Sequence, residues 1–226
     1  MDDEATFAFY ARSMKALDDA GVPFLVGGAY AFERSTGIAR HTKDFDVFVR
    51  PADLGEAFDD VWFEHAVDDT VLGVRVQLMP AEEMIWSKGF IMERERYDGA
   101  DIAHLLHARA ECLDWGRLLA RYGRHWRVLF SHLVLFGFIY PSDRGRIPAW
   151  VMQDLTRRLH RETATVPVRE TTPVCRGPLL SRAQYLHDIE QRGVRDARLT
   201  HESAMNEEDV QLWTDGIKVD GERPAA

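Results

Sequence analysis

Val26-Gly27-Gly28, followed by Arg40-His41-Thr42-Lys43-Asp44-Phe45-Asp46-Val47-Phe48-Val49, is the stretch on which the reading of the fold turns. It predicts a short buried strand, a diglycine turn into a helix, and a second strand over Phe45–Val49 entered by two carboxylates. Side chains alternate along a strand, so Asp44 and Asp46 are expected on one face, roughly 7 Å apart, with Phe45, Val47 and Val49 turned to the core. Two carboxylates on one face repel unless a cation sits between them, and a hard divalent ion such as Mg²⁺ is the usual answer. A turn without side chains beside that ion is what a triphosphate needs for close approach.

Composition sets the limits of this reading. The 226 residues are 46% hydrophobic, an ordinary globular value, and the formal net charge is −9, which argues against a general nucleic-acid coat. The charge is unevenly placed. Residues 1–70 carry 6 Lys/Arg against 15 Asp/Glu, whereas residues 115–161 carry 9 Arg against only Asp143 and Asp154. Cys112 and Cys175 lack metal-type spacing, so neither a zinc site nor a disulfide framework is expected. The start Met1-Asp2-Asp3-Glu4 is acidic where a secretion signal is basic, and the apolar run Leu129–Tyr140 is too short for a bilayer. A soluble, cytoplasmic protein without membrane contact is the expectation.

Working outward, Phe7, Tyr10, Ala11, Met14 and Leu17 recur at helical spacing, and Gly21 with Pro23 ends that helix. Phe24–Val26 reads as a strand, Ala29–Ser35 as a helix, and Val71–Met79 as one continuous strand. A helix opens at Pro80-Ala81-Glu82-Glu83 and is expected to run to about Arg96, where Asp98-Gly99 breaks it. Further helices follow around Ile102–Leu106, from Asp114 to Tyr122, from Trp126 to Tyr140, and from Pro148. Thr163–Pro178 reads as a linker. The fold class is therefore α+β, a small mixed sheet with flanking helices followed by a helical C-terminal half.

The diglycine turn combined with Asp44-x-Asp46 resembles the first two motifs of the DNA-polymerase-β-like nucleotidyltransferase superfamily. That resemblance implies that Gly27 and Gly28 bind the triphosphate of an NTP and that Asp44 and Asp46 ligate Mg²⁺. Thr42 and Lys43 match polar residues that often precede the carboxylates in bacterial members. The stretch Glu82–Lys88, then Arg94–Asp101, is similar to the second half of AbiEii-type bacterial nucleotidyltransferases. On that basis Lys88 reaches a nucleotide phosphate and joins Asp44 and Asp46 as catalytic, with Asp98 and Asp101 completing the nucleotide site. Read without the resemblance, the same residues are a solvated helix with ion pairs such as Arg94–Asp98. The expected division is a nucleotidyltransferase-like core over 1–110, a helical Arg-rich extension over 111–162, and a linker with a partly helical tail over 163–226.

The implied activity is Mg²⁺-dependent transfer of an NMP from an NTP to a hydroxyl acceptor, RNA, protein or a small molecule. Many such bacterial proteins act in toxin–antitoxin or phage-defence systems. The superfamily normally carries a third carboxylate on a further strand. Between Val49 and Val71 the sequence offers Asp59, Asp60, Glu64, Asp68 and Asp69, all in helix- or loop-like context. Two alternatives therefore stand beside the enzyme: a catalytically impaired relative that binds nucleotide or a partner, and an interaction module whose aspartates only decorate a surface strand. Arg117, Arg121, Arg124 and Arg127 recur every three or four residues, which predicts a solvated face or a seat for a polyanion. His41 adjoins the aspartates and is a candidate phosphate contact; the other histidines have no ligand-like pairing.

Overall fold

The computed structural model describes residues 3–40, 42, 44–49, 61–166, 172–200, 203, 205–212 and 214. Helix α1 (Asp3–Asp19) leads to β1 (Phe24–Val26), α2 (Gly28–Thr36) and β2 (Val47–Val49). A single turn, α3 (Val61–Glu64), precedes the hairpin β3 (Val67–Val71) and β4 (Val74–Leu78). Then come α4 (Ala81–Gly89), α5 (Gly99–Arg109), α6 (Trp115–Tyr122), α7 (Trp126–Ile139) and α8 (Ala149–Ala164). Two short strands, β5 (Val174–Cys175) and β6 (Arg195–Asp196), pair around α9 (Leu186–Arg192). The class is α+β, with a mixed four-stranded sheet and helices through the C-terminal half. Among the described residues no helix is long and apolar enough to cross a membrane.

The strand order is β2-β1-β4-β3. β1 runs antiparallel to β2, with Val26 opposite Val47, and parallel to β4, with Val26 opposite Leu78. The exit of β1, the entry of β2 and the exit of β4 therefore meet at one end of the sheet. Gly27, Asp46 and the start of α4 follow from those three strand ends. All three residues of β1 are buried, as a central strand covered on both faces requires. Phe24 and Val26 face α1 in a cluster with Met14, Val74, Val76 and Leu78. Leu25 faces the opposite way, into a larger cluster that continues through Phe32, Ile85, Leu105, Leu118 and Leu133 to Leu155. Each of these side chains contributes about 1.5–3 kcal/mol by leaving water.

Three local expectations are corrected. The run 71–79 is a hairpin, because Leu72 (φ 50°) and Gly73 (φ 77°) both enter the left-handed region and turn β3 back along β4. Positive φ at both central positions is the geometry that matches strand twist. Consequently Asp68 and Asp69 lie on a strand, not on a helix or loop. Second, β2 begins at Val47, so Asp44 to Asp46 form the coil that enters it, and Val49 is exposed at the sheet edge. Third, α4 stops at Gly89 instead of Arg96. The Gly89 carbonyl is 3.0 Å from His132 Nε2 on α7, and the Lys88 carbonyl accepts from Ile91 N–H at 3.0 Å. With those carbonyls engaged the helix has no ladder to continue, and residues 92–97 form a small hairpin closed by Glu93 N–H to the Arg96 carbonyl, 2.8 Å.

Candidate functional site

At the common end of β1, β2 and β4 the two halves of the motif touch. Gly27 N–H donates to the Asp46 carbonyl at 3.0 Å, and Gly27 begins α2 as its cap. Gly28 has φ 51°, a conformation that costs other L-residues about 1–2 kcal/mol. A Cβ on Gly28 would stand 2.7 Å from Asp46 Cγ and closer still to Oδ2; one on Gly27 would run into the Phe48 ring. The carboxylate of Asp46 thus lies directly on the glycine turn, at the start of a helix.

Asp44 has different neighbours. Its backbone N–H donates to Thr42 Oγ1 at 3.1 Å, and that hydroxyl lies 3.0 Å from the Asp44 carbonyl, so Thr42 shapes the approach to Asp46. Asp44 is exposed and lines a groove of about 730 Å³ between α1 and the entry to β2, with Phe9, Tyr10, Phe45 and Val47. Phe45 stacks on Tyr10 at 4.8 Å, while Phe48 turns the other way toward Trp62 at 5.6 Å. Lys43 and His41 lie outside the described residues.

Lys88, Asp98 and Asp101 come together as one group. Lys88 Nζ lies 2.8 Å from Asp98 Oδ2 and 2.8 Å from Asp101 Oδ2. Arg96 Nε and Nη2 donate to Asp98 at 3.2 and 3.3 Å. Arg40 grips Asp101 with both terminal nitrogens, Nη1 to Oδ2 at 2.8 Å and Nη2 to Oδ1, and its guanidinium sits 4.1 Å from the centre of the Phe32 ring. The Arg94–Asp98 helical pair has no place here, since Arg94 is on the 92–97 hairpin. Arg40 and Arg96 are the residues that sequence reasoning passed over. Arg40 carried a signal, since it flanks the aspartate motif, whereas Arg96 falls at the end of the expected helix and is placed only by the hairpin.

Burial pushes the Asp101 carboxyl up, but hydrogen bonds from Arg40 and Lys88 and their charges outweigh it, so its pKa is lowered from the ordinary 3.8. A lowered folded-state value stabilises the fold above the unfolded pKa, and that contribution is lost as pH falls through the folded one. Asp101→Asn should therefore start with a lower Tm at neutral pH, and the gap to the wild type should narrow on acidification below 3.8. A gap that stays constant in melting curves from pH 7 down to acid unfolding would contradict this coupling.

In the Arg-rich middle, three of the four arginines are engaged within the chain and Arg124 is exposed. Arg117 turns inward and meets Glu83 at 2.6 Å and Glu82 at 2.7 Å, and Arg121 lies 3.6 Å from Glu83 and over the Trp86 ring. Arg127 pairs with Glu162 at 2.5 Å. Of the candidate third carboxylates, Asp59 and Asp60 lie outside the described residues, and Glu64 is exposed on α3. Asp68 and Asp69 sit on β3, three strand positions from β2 and so roughly 14 Å across the sheet. Asp69 is held there by Arg34 at 2.5 Å. Among the described residues no group of three or more His, Cys, Asp or Glu is arranged to hold a metal. Asp46 offers a hard oxygen ligand on the glycine turn, and Asp44 offers one on the groove beside α1. That donor set fits Mg²⁺, which takes one or two carboxylates and fills its octahedron with phosphate oxygens and water. No family model, curated protein or solved structure compared with the chain matches it.

Proposed function

We propose that the chain is a nucleotidyltransferase that moves an NMP from an NTP to a hydroxyl acceptor, with Mg²⁺ beside Asp44 and Asp46. The observation that carries this reading is the Asp46 carboxylate lying on Gly28, where a Cβ would collide with it. The dipole at the start of α2 favours a carboxylate by itself, and the bare glycine backbone beside it is what an anionic ligand carrying a metal ion would need for close approach. The resemblance of Val26–Gly28 and Asp44–Asp46 to the nucleotidyltransferase motifs supports the same reading. So does the cationic group of Arg40, Lys88 and Arg96, which Arg40 ties to Phe32 on the helix that Gly28 opens.

In such a transfer the acceptor oxygen bonds to the α-phosphorus, the bond to the bridging oxygen breaks, pyrophosphate departs with that electron pair, and the hydroxyl proton passes to solvent. Mg²⁺ would supply neutralisation of the triphosphate charge. Gly27 and Gly28 would give the phosphates close access to backbone, and Asp46 would help to hold the ion beside that turn. Asp44, on the rim of the groove beside α1, faces the side from which an acceptor would enter.

The test is incubation with Mg²⁺ and each α-labelled NTP in turn, with total RNA, protein and small alcohols as acceptors. Label transfer with pyrophosphate release supports the enzyme. Calorimetry should show Mg²⁺-dependent NTP binding that Asp46→Ala reduces by about 10–100-fold. Equal affinity with Mg²⁺ and with a chelator would refute the assignment of Asp46.

The place of β3 favours a second reading. With Asp68 and Asp69 on the far edge strand, a nucleotide-binding relative with slow or no turnover is the alternative. Loss of a group that acts only in the transition state commonly costs a hundredfold or more in rate. Binding without transfer in the same assay selects that reading.

A further inference from the structure

The three cations around Asp98 and Asp101 differ in what they can still reach. The Lys88 ammonium is clamped at 2.8 Å by each carboxylate, and its side chain is 16% exposed between partners at 11% and 7%. Drawing it toward a ligand would leave two buried carboxylates facing each other with less compensating charge. Arg40 commits both terminal nitrogens to Asp101 and its face to Phe32. Arg96 is placed differently. It touches Asp98 through Nε and Nη2 at 3.2 and 3.3 Å, yet its side chain is 64% exposed. Its charge is favoured first by the hydrogen bond to Asp98, against burial, and then by the charges of Asp98, Asp46 and Asp101. Arg40 ties this group to Phe32, one turn into the helix that Gly28 opens, so Arg96 is the exposed cation of a group that lies against α2.

We infer that Arg96, and not Lys88, is the cation that receives an anionic ligand group at the Gly28–Asp46 turn, while Lys88 is a positioning residue that holds Asp98 and Asp101. The inference deepens the nucleotidyltransferase reading and rests on it for the class of ligand, a polyphosphate carrying a divalent ion. A guanidinium presents a planar fork that matches phosphate oxygens. When Arg96 swings onto a phosphate, Asp98 keeps its contact with Lys88, so the exchange leaves no buried charge unpaired. The same move by Lys88 would disturb both carboxylates and, through Asp101, Arg40.

The experiment is calorimetry of the full chain with Mg·ATP and separately with Mg·tripolyphosphate, run well below each variant's Tm. Arg96→Gln should weaken both probes about tenfold or more, the size of one charge-assisted hydrogen bond, with Tm unchanged. Lys88→Gln should lower Tm, and combined with Arg96→Gln it should weaken binding no further than Arg96→Gln alone, because its effect on the ligand passes through Arg96. Full affinity in Arg96→Gln, or a Lys88→Gln variant of wild-type Tm that loses both probes, overturns the inference and leaves nucleotide binding standing. Arg96-dependent binding of tripolyphosphate without any NMP transfer supports the inference and defeats the enzyme reading. A wild-type chain that binds neither probe overturns both.

Discussion

Gly28→Ala is expected to remove Mg²⁺-dependent nucleotide binding while the protein still folds. Two effects act together. Alanine at φ 51° costs about 1–2 kcal/mol, and its Cβ would stand 2.7 Å from Asp46 Cγ, so the carboxylate must leave the turn. Asp46 is exposed and can move, which keeps the loss of stability near the backbone cost alone, roughly 2–8 °C in Tm for a chain of this size. The loss of affinity should instead match that of Asp46→Ala, about 10–100-fold. The double variant Gly28→Ala/Asp46→Ala should bind no worse than either single change, since both act on one contact. Tight Mg·ATP binding by Gly28→Ala would separate the turn from the site.

The second large effect concerns stability alone. Glu83 is fully buried under α6, meeting Arg117 at 2.6 Å and Arg121 at 3.6 Å. Arg117 has a side chain 13% exposed and also contacts Glu82, which itself accepts from Asp114 N–H at 2.7 Å. Glu83→Ala leaves two guanidinium groups in a low-dielectric pocket with one carboxylate fewer, a change that typically costs 3–5 kcal/mol, or roughly 10 °C in Tm. Glu162→Ala removes the partner of Arg127 from a pair with both side chains about half exposed, and it should cost no more than about 1 kcal/mol. Thermal melts of the two variants side by side decide the matter. Similar small shifts would mean that water reaches the Glu83 cluster.

These two sites mark what could be read from the chain and what could not. Phe24–Val26 was legible because three apolar residues stand between Pro23 and a diglycine, and the start of α6 because Asp114 accepts from Arg117 N–H at 2.9 Å, as a capping aspartate does. The α+β class followed from that punctuation. What escaped depends on partners far along the chain. Arg117 and Arg121 repeat like a surface stripe, and it is Glu82 and Glu83, far back along the chain, that turn Arg117 inward. The end of α4 is set by His132, 43 residues beyond the carbonyl it meets. β3 was hidden for another reason: an edge strand reading Val-Asp-Asp-Thr-Val has no apolar alternation to detect. In the candidate site the aspartate and glycine pairs stood out by spacing, whereas Arg96 shows its position only once the hairpin has replaced the expected helix.

That hairpin is braced from the far end of the chain. Met92 N–H donates to the Leu180 carbonyl at 3.0 Å, and Arg182 grips Glu93 at 2.5 and 2.9 Å across 89 residues of sequence. Because a ribosome adds about 5–20 residues per second, the brace emerges several seconds after the segment it supports. The sheet end, with its glycine turn and Asp46, is made first, and the loop bearing Arg96 acquires these two anchors last. The region that reads as a linker and tail is, in the order of synthesis, the final fastening of the site's cationic side.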